Sequence, residues 1–169
     1  INEEFLGNTD EPLTLDFAST MAIQISGREN FDHFIKSLVS DFEPTDEHRL
    51  VTEFKWKAIF TTNYDEAIET AFKENKSSLQ KVEKIISDND SIQRVIVNPE
   101  KLPVIKIHGC ISRINDNRVP LVISNSDYRR HLENRSSLYQ YLRECLTSDL
   151  VIFYGYGLAD ANIVGILDD

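Results

Sequence analysis

The chain is poor in cysteine, in long apolar runs and in signals that direct a protein out of the cell. Its 169 residues include two cysteines, Cys110 and Cys145, which are too few for a disulfide framework and favour a reducing compartment. No apolar run approaches the ~18 residues of a membrane span, and no signal-peptide pattern opens the chain. We therefore expect a cytoplasmic protein with no membrane partner.

Basic residues are also scarce relative to acidic ones. With 18 Lys and Arg against 28 Asp and Glu, the formal net charge is −10, which repels nucleic acid unless a local patch overrides it. The candidate patch spans residues 129–135, with three arginines and one histidine around Glu133. We interpret it as a solvated helix face, with a protein-interaction tract as the alternative, and expect no direct nucleic-acid partner.

Apolar residues are present in sufficient number for a proper core, at 41% of the chain, and their spacing alternates between helix and strand. Helical spacing recurs over residues 13–25, 31–39, 66–72, 82–86, 126–132 and 136–146. Strands are predicted at residues 56–60, 91–97, 102–107, 119–123 and 149–154. Strands separated by helical crossovers predict an α/β fold with a doubly wound, Rossmann-like parallel sheet and flanking helices.

A polar turn, Thr61-Thr62-Asn63-Tyr64-Asp65, follows the first of the long apolar strands. In open α/β sheets the carboxyl ends of strands face the crevice where small molecules bind, so Asn63 and Asp65 are expected to point into it. The alternative for Asn63 is an N-cap that forms a capping box with Glu66. The alternative for Asp65 is a carboxylate that interacts with the helix dipole.

Two further predicted strands end in motifs of the same kind. Strand 102–107 ends at His108-Gly109, where glycine lets the backbone turn away or a ligand approach closely. The alternative is a buried histidine satisfied by a backbone carbonyl. Strand 149–154 runs into a glycine-containing turn over residues 155–160, which precedes a helix that Asp160 could simply cap.

In this order the three turns resemble the sirtuin family. The 61–65 turn is similar to the Thr-Gln-Asn-Ile-Asp element around the nicotinamide ribose, and His108-Gly109 matches the His-Gly catalytic element. Gly155-Tyr156-Gly157-Leu158 matches the turn at the adenosine ribose. The subtype that the chain resembles is the sirtuin-like domain of bacterial anti-phage defence proteins, and the resemblance covers residues 56–166.

The resemblance implies that NAD+ is the substrate and that Asn63 and His108 are catalytic. Asn63 would hold a ribose hydroxyl and a water at the anomeric face, and His108 would accept a proton. Asp65 would hydrogen-bond the nicotinamide carboxamide. The residues expected to bind NAD+ are the remainder of the three motifs, namely Thr61, Thr62, Tyr64, Asp65, Gly109, Gly155, Tyr156, Gly157 and Asp160.

The chain departs from sirtuin deacylases at the zinc ribbon. Their tetrahedral site needs four thiolates, which Cys110 and Cys145 cannot supply, so we expect no metal and no acyl-peptide cleft. Water then becomes the acceptor of the ribosyl group. The implied activity is hydrolysis of NAD+ to nicotinamide and ADP-ribose, with depletion of cellular NAD+ in anti-phage defence as the output.

A second departure is the absence of the family's opening Gly-Ala-Gly-x-Ser loop, which we expect upstream of Ile1. The chain is thus interpreted as one sirtuin-like domain, residues 1–169, incomplete at its N-terminus, with a helical portion at 1–55 and an α/β core at 56–169. Its expected partners are a second copy of itself or other domains of a larger protein. The missing loop and Gly157 favour one alternative, a non-catalytic nucleotide-binding or protein-interaction module; an NAD-dependent protein deacylase is another.

Overall fold

The computed structural model describes residues 13–157 and 160–168. Within this part of the chain, three strands form a parallel sheet: β1 (Ile59–Thr61), β2 (Lys81–Ile85) and β3 (Lys101–Lys106). The order across the sheet is β1-β3-β2, and Phe60 and Ile85 both pair with Ile105. Strand β3 is therefore the central strand, and its carboxyl end lies between those of its neighbours.

Among the residues that the structure describes, three α-helices precede the sheet. They are α1 (Leu15–Ser26), α2 (Arg28–Val39) and α3 (Asp46–Val51). The Thr45 side chain and His48 form a capping box at the start of α3. The prediction of helices at 13–25 and 31–39 is confirmed.

The remaining helices alternate with the strands and follow them. Helix α4 (Ala67–Glu74) connects β1 to β2, and α5 (Ile92–Ile96) connects β2 to β3. After β3 come α6 (Asn125–Arg129), α7 (Ser136–Ser148) and α8 (Ala161–Asp168). This order of elements makes β1, β2 and β3 parallel strands joined by helical crossovers.

Helices cover both faces of the sheet. Leu102 and Val104 of β3 pack with Phe72 of α4 on one face, whereas Ile105 packs with α5, α7 and α8 on the other. The alternation follows from the period of two along a strand, which sends successive side chains to opposite faces. The predicted Rossmann-like α/β architecture is confirmed.

For two short segments the prediction was wrong: a strand was found where a helix was predicted, and a helix where a strand was predicted. Residues 82–86 were expected to be helical, yet Lys81–Ile85 is strand β2, because its backbone pairs with the whole length of β3. Residues 91–97 were expected to form a strand, yet they contain α5. Ser91 adopts a left-handed conformation with φ 53°, which breaks any extended run at that point.

The segment 119–123 is buried but is not the predicted strand. Leu121 and Ile123 pack against α1 and α2. The guanidinium of Arg28 donates to the Leu121 carbonyl at 2.9 Å and pairs with Asp127 at 2.9 Å. The backbone N–H of Val122 donates to the His108 carbonyl at 2.9 Å. These partners replace the ladder that a strand would need.

The segment 149–154 is not the predicted buried strand either. Leu150 is 92% exposed and Tyr154 is 68% exposed. In the described part of the chain, β1 pairs only with β3, and residues 149–154 are not hydrogen-bonded into the sheet. An apolar run becomes a strand through its pairing partners, and among the described residues no strand pairs with this segment.

The basic patch also differs from its interpretation as a solvated face. Arg129 and Arg130 are exposed, but Arg135 is 1% exposed and its guanidinium donates to the Pro120 carbonyl at 2.6 Å. Burial lowers the pKa of Arg135. The signal that predicted a patch was composition alone, which does not distinguish a surface cation from one that binds a buried carbonyl.

Both cysteines, Cys110 and Cys145, are free and buried. Among residues 13–157 and 160–168, no helix combines the length and the apolar character needed to cross a membrane.

Candidate active site

The first two motifs meet at the carboxyl ends of β1 and β3. The backbone N–H of Ile107 donates to the Thr61 carbonyl at 3.1 Å, and that of Ile111 donates to the Tyr64 carbonyl at 3.0 Å. These two bonds bracket His108 and Gly109 and tie them to the 61–65 turn. The structure thus places the two turns side by side at the edge where α/β proteins bind ligands.

Within the 61–65 turn, Asn63 keeps its side chain free. Its backbone N–H donates to the Thr61 hydroxyl at 3.0 Å, while the side chain is exposed and has no hydrogen-bond partner among the described residues. Helix α4 begins at Ala67, whose N–H donates to the Asp65 carboxylate at 2.9 Å. The alternative in which Asn63 caps this helix with Glu66 is therefore wrong, and Asp65 makes that contact instead. Thr62 is half-buried.

Tyr64 links the 61–65 turn to the His-Gly motif through Val122. Its hydroxyl donates to the Val122 carbonyl at 2.7 Å, and the N–H of the same Val122 donates to the His108 carbonyl. Burial, assisted by nearby acidic groups, raises the pKa of Tyr64, so its hydroxyl remains a neutral donor. Tyr64 consequently fixes the segment on which the His-Gly motif rests rather than presenting its hydroxyl to solvent.

A buried lysine that sequence reasoning missed supports the 61–65 turn. Lys106 is 1% exposed, and its ammonium donates to the Asp65 carbonyl and lies 3.2 Å from the Glu69 carboxylate. Removing it would leave the mostly buried Glu69 unpaired, a change that costs about 3–5 kcal/mol in comparable pairs. The available signal was a single cation in an apolar strand, two residues before His108.

His108 is 3% exposed. Its Nε2 lies 3.0 Å from a carboxylate oxygen of Asp160, at an angle that departs from that of a linear hydrogen bond. The Tyr128 ring meets the imidazole edge-on at 5.5 Å between centroids. At Nε2 the structure does not support the alternative of a histidine satisfied by a backbone carbonyl, because the group next to Nε2 is the Asp160 carboxylate.

The backbone conformation at position 109 requires a glycine. Its φ is +91°, in the left-handed region that side chains rarely adopt, and a Cβ there would lie 3.3 Å from the Pro120 carbonyl and 3.2 Å from the Leu121 side chain. Glycine therefore lets the chain pass close to the 119–123 segment directly after His108.

Among the described residues of the third motif, Asp160 is the one that reaches the site. Gly155 and Gly157 are exposed and surrounded by open space, and Leu158 of this motif lies outside the described residues. Tyr156 is half-buried, packs against the α7 side of the core and stacks on Phe153 with 6.2 Å between ring centroids. Of this motif, Asp160 is the residue that contacts the His-Gly motif.

Residues 57–169 match the family described as "SIR2-like domain". The chain belongs to that family. The match begins just before β1 and covers all three turns, so the SIR2-like domain includes the junction of the 61–65 turn with His108.

Two curated relatives of this SIR2-like domain are bacterial. The chain is 25% identical over 136 residues to the "NAD(+) hydrolase ThsA" of Enterococcus faecium, covering 76% of this chain and 25% of that protein. It is 25% identical over 146 residues to "Defense-associated sirtuin 2" of Bacillus subtilis, covering 85% of this chain and 14% of that protein. The chain therefore spans a quarter or less of the length of these relatives.

One group of potential metal ligands occurs among the described residues of the SIR2-like domain. Donor atoms of Glu66, Glu69 and Cys110 lie within 4.8 Å of one another. The two carboxylates already have cationic partners, since Lys84 pairs with Glu66 and Lys106 with Glu69. The expectation that the domain needs no metal stays a prediction.

Proposed function

We propose that the protein containing this SIR2-like domain hydrolyses NAD+ to nicotinamide and ADP-ribose and thereby depletes NAD+ in bacterial anti-phage defence. The observation that carries the proposal is the junction of the 61–65 turn with His108, made by the Ile107–Thr61 and Ile111–Tyr64 backbone bonds. It puts a free amide side chain and an imidazole on adjoining strand ends. The printed names of both relatives, an NAD(+) hydrolase and a defence sirtuin, support the same direction.

The chemistry needs little from the protein beyond positioning and one base. The bond between ribose C1′ and the pyridinium nitrogen breaks, and its electron pair neutralises nicotinamide as it leaves. A water oxygen bonds to C1′, and the proton that the water loses passes to His108 and then to solvent. Asn63 carries both an acceptor and two donors, so it can hold a ribose hydroxyl and that water together.

The remaining motif residues are proposed to hold NAD+. Asp65 would face the nicotinamide carboxamide, and the 155–157 turn would face the adenosine ribose. The proposed binding residues are Thr61, Thr62, Tyr64, Asp65, Gly109, Gly155, Tyr156, Gly157 and Asp160. We further propose that residues 1–55 and 56–169 form one domain that works in the cytoplasm with a second copy or with other domains.

The burial of His108 supports a second candidate, a non-catalytic nucleotide-binding or interaction module. At 3% exposure the imidazole reaches a substrate only if its cover shifts. Tyr128, which meets the ring edge-on, and the Asp160 side chain provide that cover. A module that never opened this cover would bind NAD+, or a partner, without cleaving it.

Product analysis separates hydrolase, module and deacylase. The complete protein is incubated with NAD+, with and without an acetylated lysine peptide, and NAD+, nicotinamide and ADP-ribose are resolved by chromatography. We expect nicotinamide and ADP-ribose in equal amounts whether or not peptide is present. Peptide-dependent O-acetyl-ADP-ribose would establish the deacylase instead, and intact NAD+ alongside measurable NAD+ binding would establish the module.

A further inference from the structure

Asp160 uses its two carboxylate oxygens for different partners. Oδ1 accepts from the backbone N–H groups of Asn162 at 2.9 Å and Ile163 at 3.2 Å, which caps α8. Oδ2 lies 3.0 Å from Nε2 of His108. The side chain is 8% exposed, so a helix cap and an imidazole contact are combined in one nearly buried carboxylate.

The surroundings keep this carboxylate charged and the nearby tyrosine hydroxyls neutral. Burial raises the pKa of Asp160, but His108 and the two backbone N–H groups outweigh burial and hold it below its ordinary value. Burial and the Asp160 charge together raise the pKa of Tyr128 and of Tyr156 to about 12. At neutral pH, His108 thus faces one fixed negative charge and a neutral phenol.

A negative charge beside one ring nitrogen determines where a neutral imidazole keeps its proton. The tautomer with hydrogen on the nitrogen next to the carboxylate is favoured, and the other nitrogen becomes the basic one. The same charge stabilises the imidazolium that forms when a proton is accepted.

We propose that Asp160 is a positioning residue that holds the proton of His108 on Nε2 and so leaves Nδ1 as its basic nitrogen. The catalytic part of this proposal rests on the proposed hydrolase function. In this role Asp160 acts through His108 instead of making the direct NAD+ contact proposed above, because both of its carboxylate oxygens already lie against protein groups.

Asp160→Asn tests this role without removing the cap. Asparagine caps helices about as well as aspartate, so the unfolding midpoint should stay close to the parent's while the charge beside His108 is lost. Nitrogen-15 spectra of the histidine rings report which nitrogen bears hydrogen, and comparison with His108→Ala assigns the His108 signal.

We expect hydrogen on Nε2 of His108 in the parent protein and a mixture of tautomers in Asp160→Asn. Hydrogen on Nδ1 in the parent, or an unchanged spectrum in the variant, would overturn the proposal. The parent spectrum alone shows which nitrogen of His108 bears hydrogen, so the proposal can be tested even if the variant folds poorly.

Kinetics provide the second readout. In Asp160→Asn we expect kcat for NAD+ cleavage to fall at least about tenfold, with KM near the parental value, because the base loses its orientation while the binding residues remain. A raised KM with parental kcat would show that Asp160 contacts NAD+ directly and would overturn the proposal. If the parent cleaves no NAD+, the hydrolase function fails, whereas the ring-nitrogen spectra still decide whether Asp160 controls His108.

Discussion

Replacing Asn63 by alanine is expected to abolish NAD+ turnover with almost no loss of stability. The side chain is exposed and has no hydrogen-bond partner among the described residues, so its removal leaves no buried group unpaired. For the proposed reaction, in contrast, the variant lacks the amide that places water and ribose together at C1′. Turnover and the urea midpoint are measured on the same preparation.

Asn117→Ala is the matched control for Asn63. Asn117 is another exposed asparagine in a polar turn, and the proposed reaction assigns it no role, so both turnover and stability should stay parental. A stable Asn63→Ala protein that cleaves NAD+ at the parental rate would remove Asn63 from the catalytic residues.

Replacing His108 by alanine is expected to lower turnover about 10²–10⁴-fold per folded molecule, the usual effect of losing a general base. The structure adds a cost to the fold. His108 is buried beside Asp160, so its loss leaves one carboxylate oxygen without its partner and destabilises the protein by about 1–3 kcal/mol. Thermal unfolding and NAD+ turnover on one preparation separate the two effects.

His131→Ala provides the comparison. His131 also packs edge-on against a tyrosine, Tyr139, at 4.8 Å between ring centroids, and its Nδ1 lies 2.8 Å from the Tyr128 carbonyl. Its loss should destabilise the fold while folded molecules retain parental turnover. If His108→Ala behaves in the same way, with only the folded fraction reduced, His108 is structural.

Regular, strongly periodic segments of this fold were predictable from the sequence. Helices α1, α2 and α7 follow their apolar spacing, and β3 follows its run of β-branched residues. Short segments were less predictable, because β2 becomes a strand only through its pairing with β3, and 149–154 is exposed for want of such a partner. Local propensity favours a strand more strongly in 149–154 than in β2, and tertiary context overrides it in both runs.

The candidate site, like the fold, could be predicted from the sequence only in part. The order of the three turns indicated Asn63, His108 and Asp160, and the family match covers all of them. The contacts that organise the site join residues distant in sequence: Lys106 with Glu69, Tyr64 with Val122, and Tyr128 with His108. Tyr128 lies beside a segment interpreted as a solvated basic face, so no periodicity in the sequence marked it as a neighbour of the imidazole.

Amide chemical-shift mapping shows directly whether NAD+ binds at the carboxyl ends of β1 and β3. NAD+ is titrated into nitrogen-15-labelled protein, and the shifts are followed residue by residue. We predict saturable shifts concentrated in the 61–65 turn, at His108 and Gly109, and at Asp160, reduced in Asn63→Ala but not in Asn117→Ala. Saturable shifts confined to another surface, with this edge of the sheet unchanged, would contradict the account.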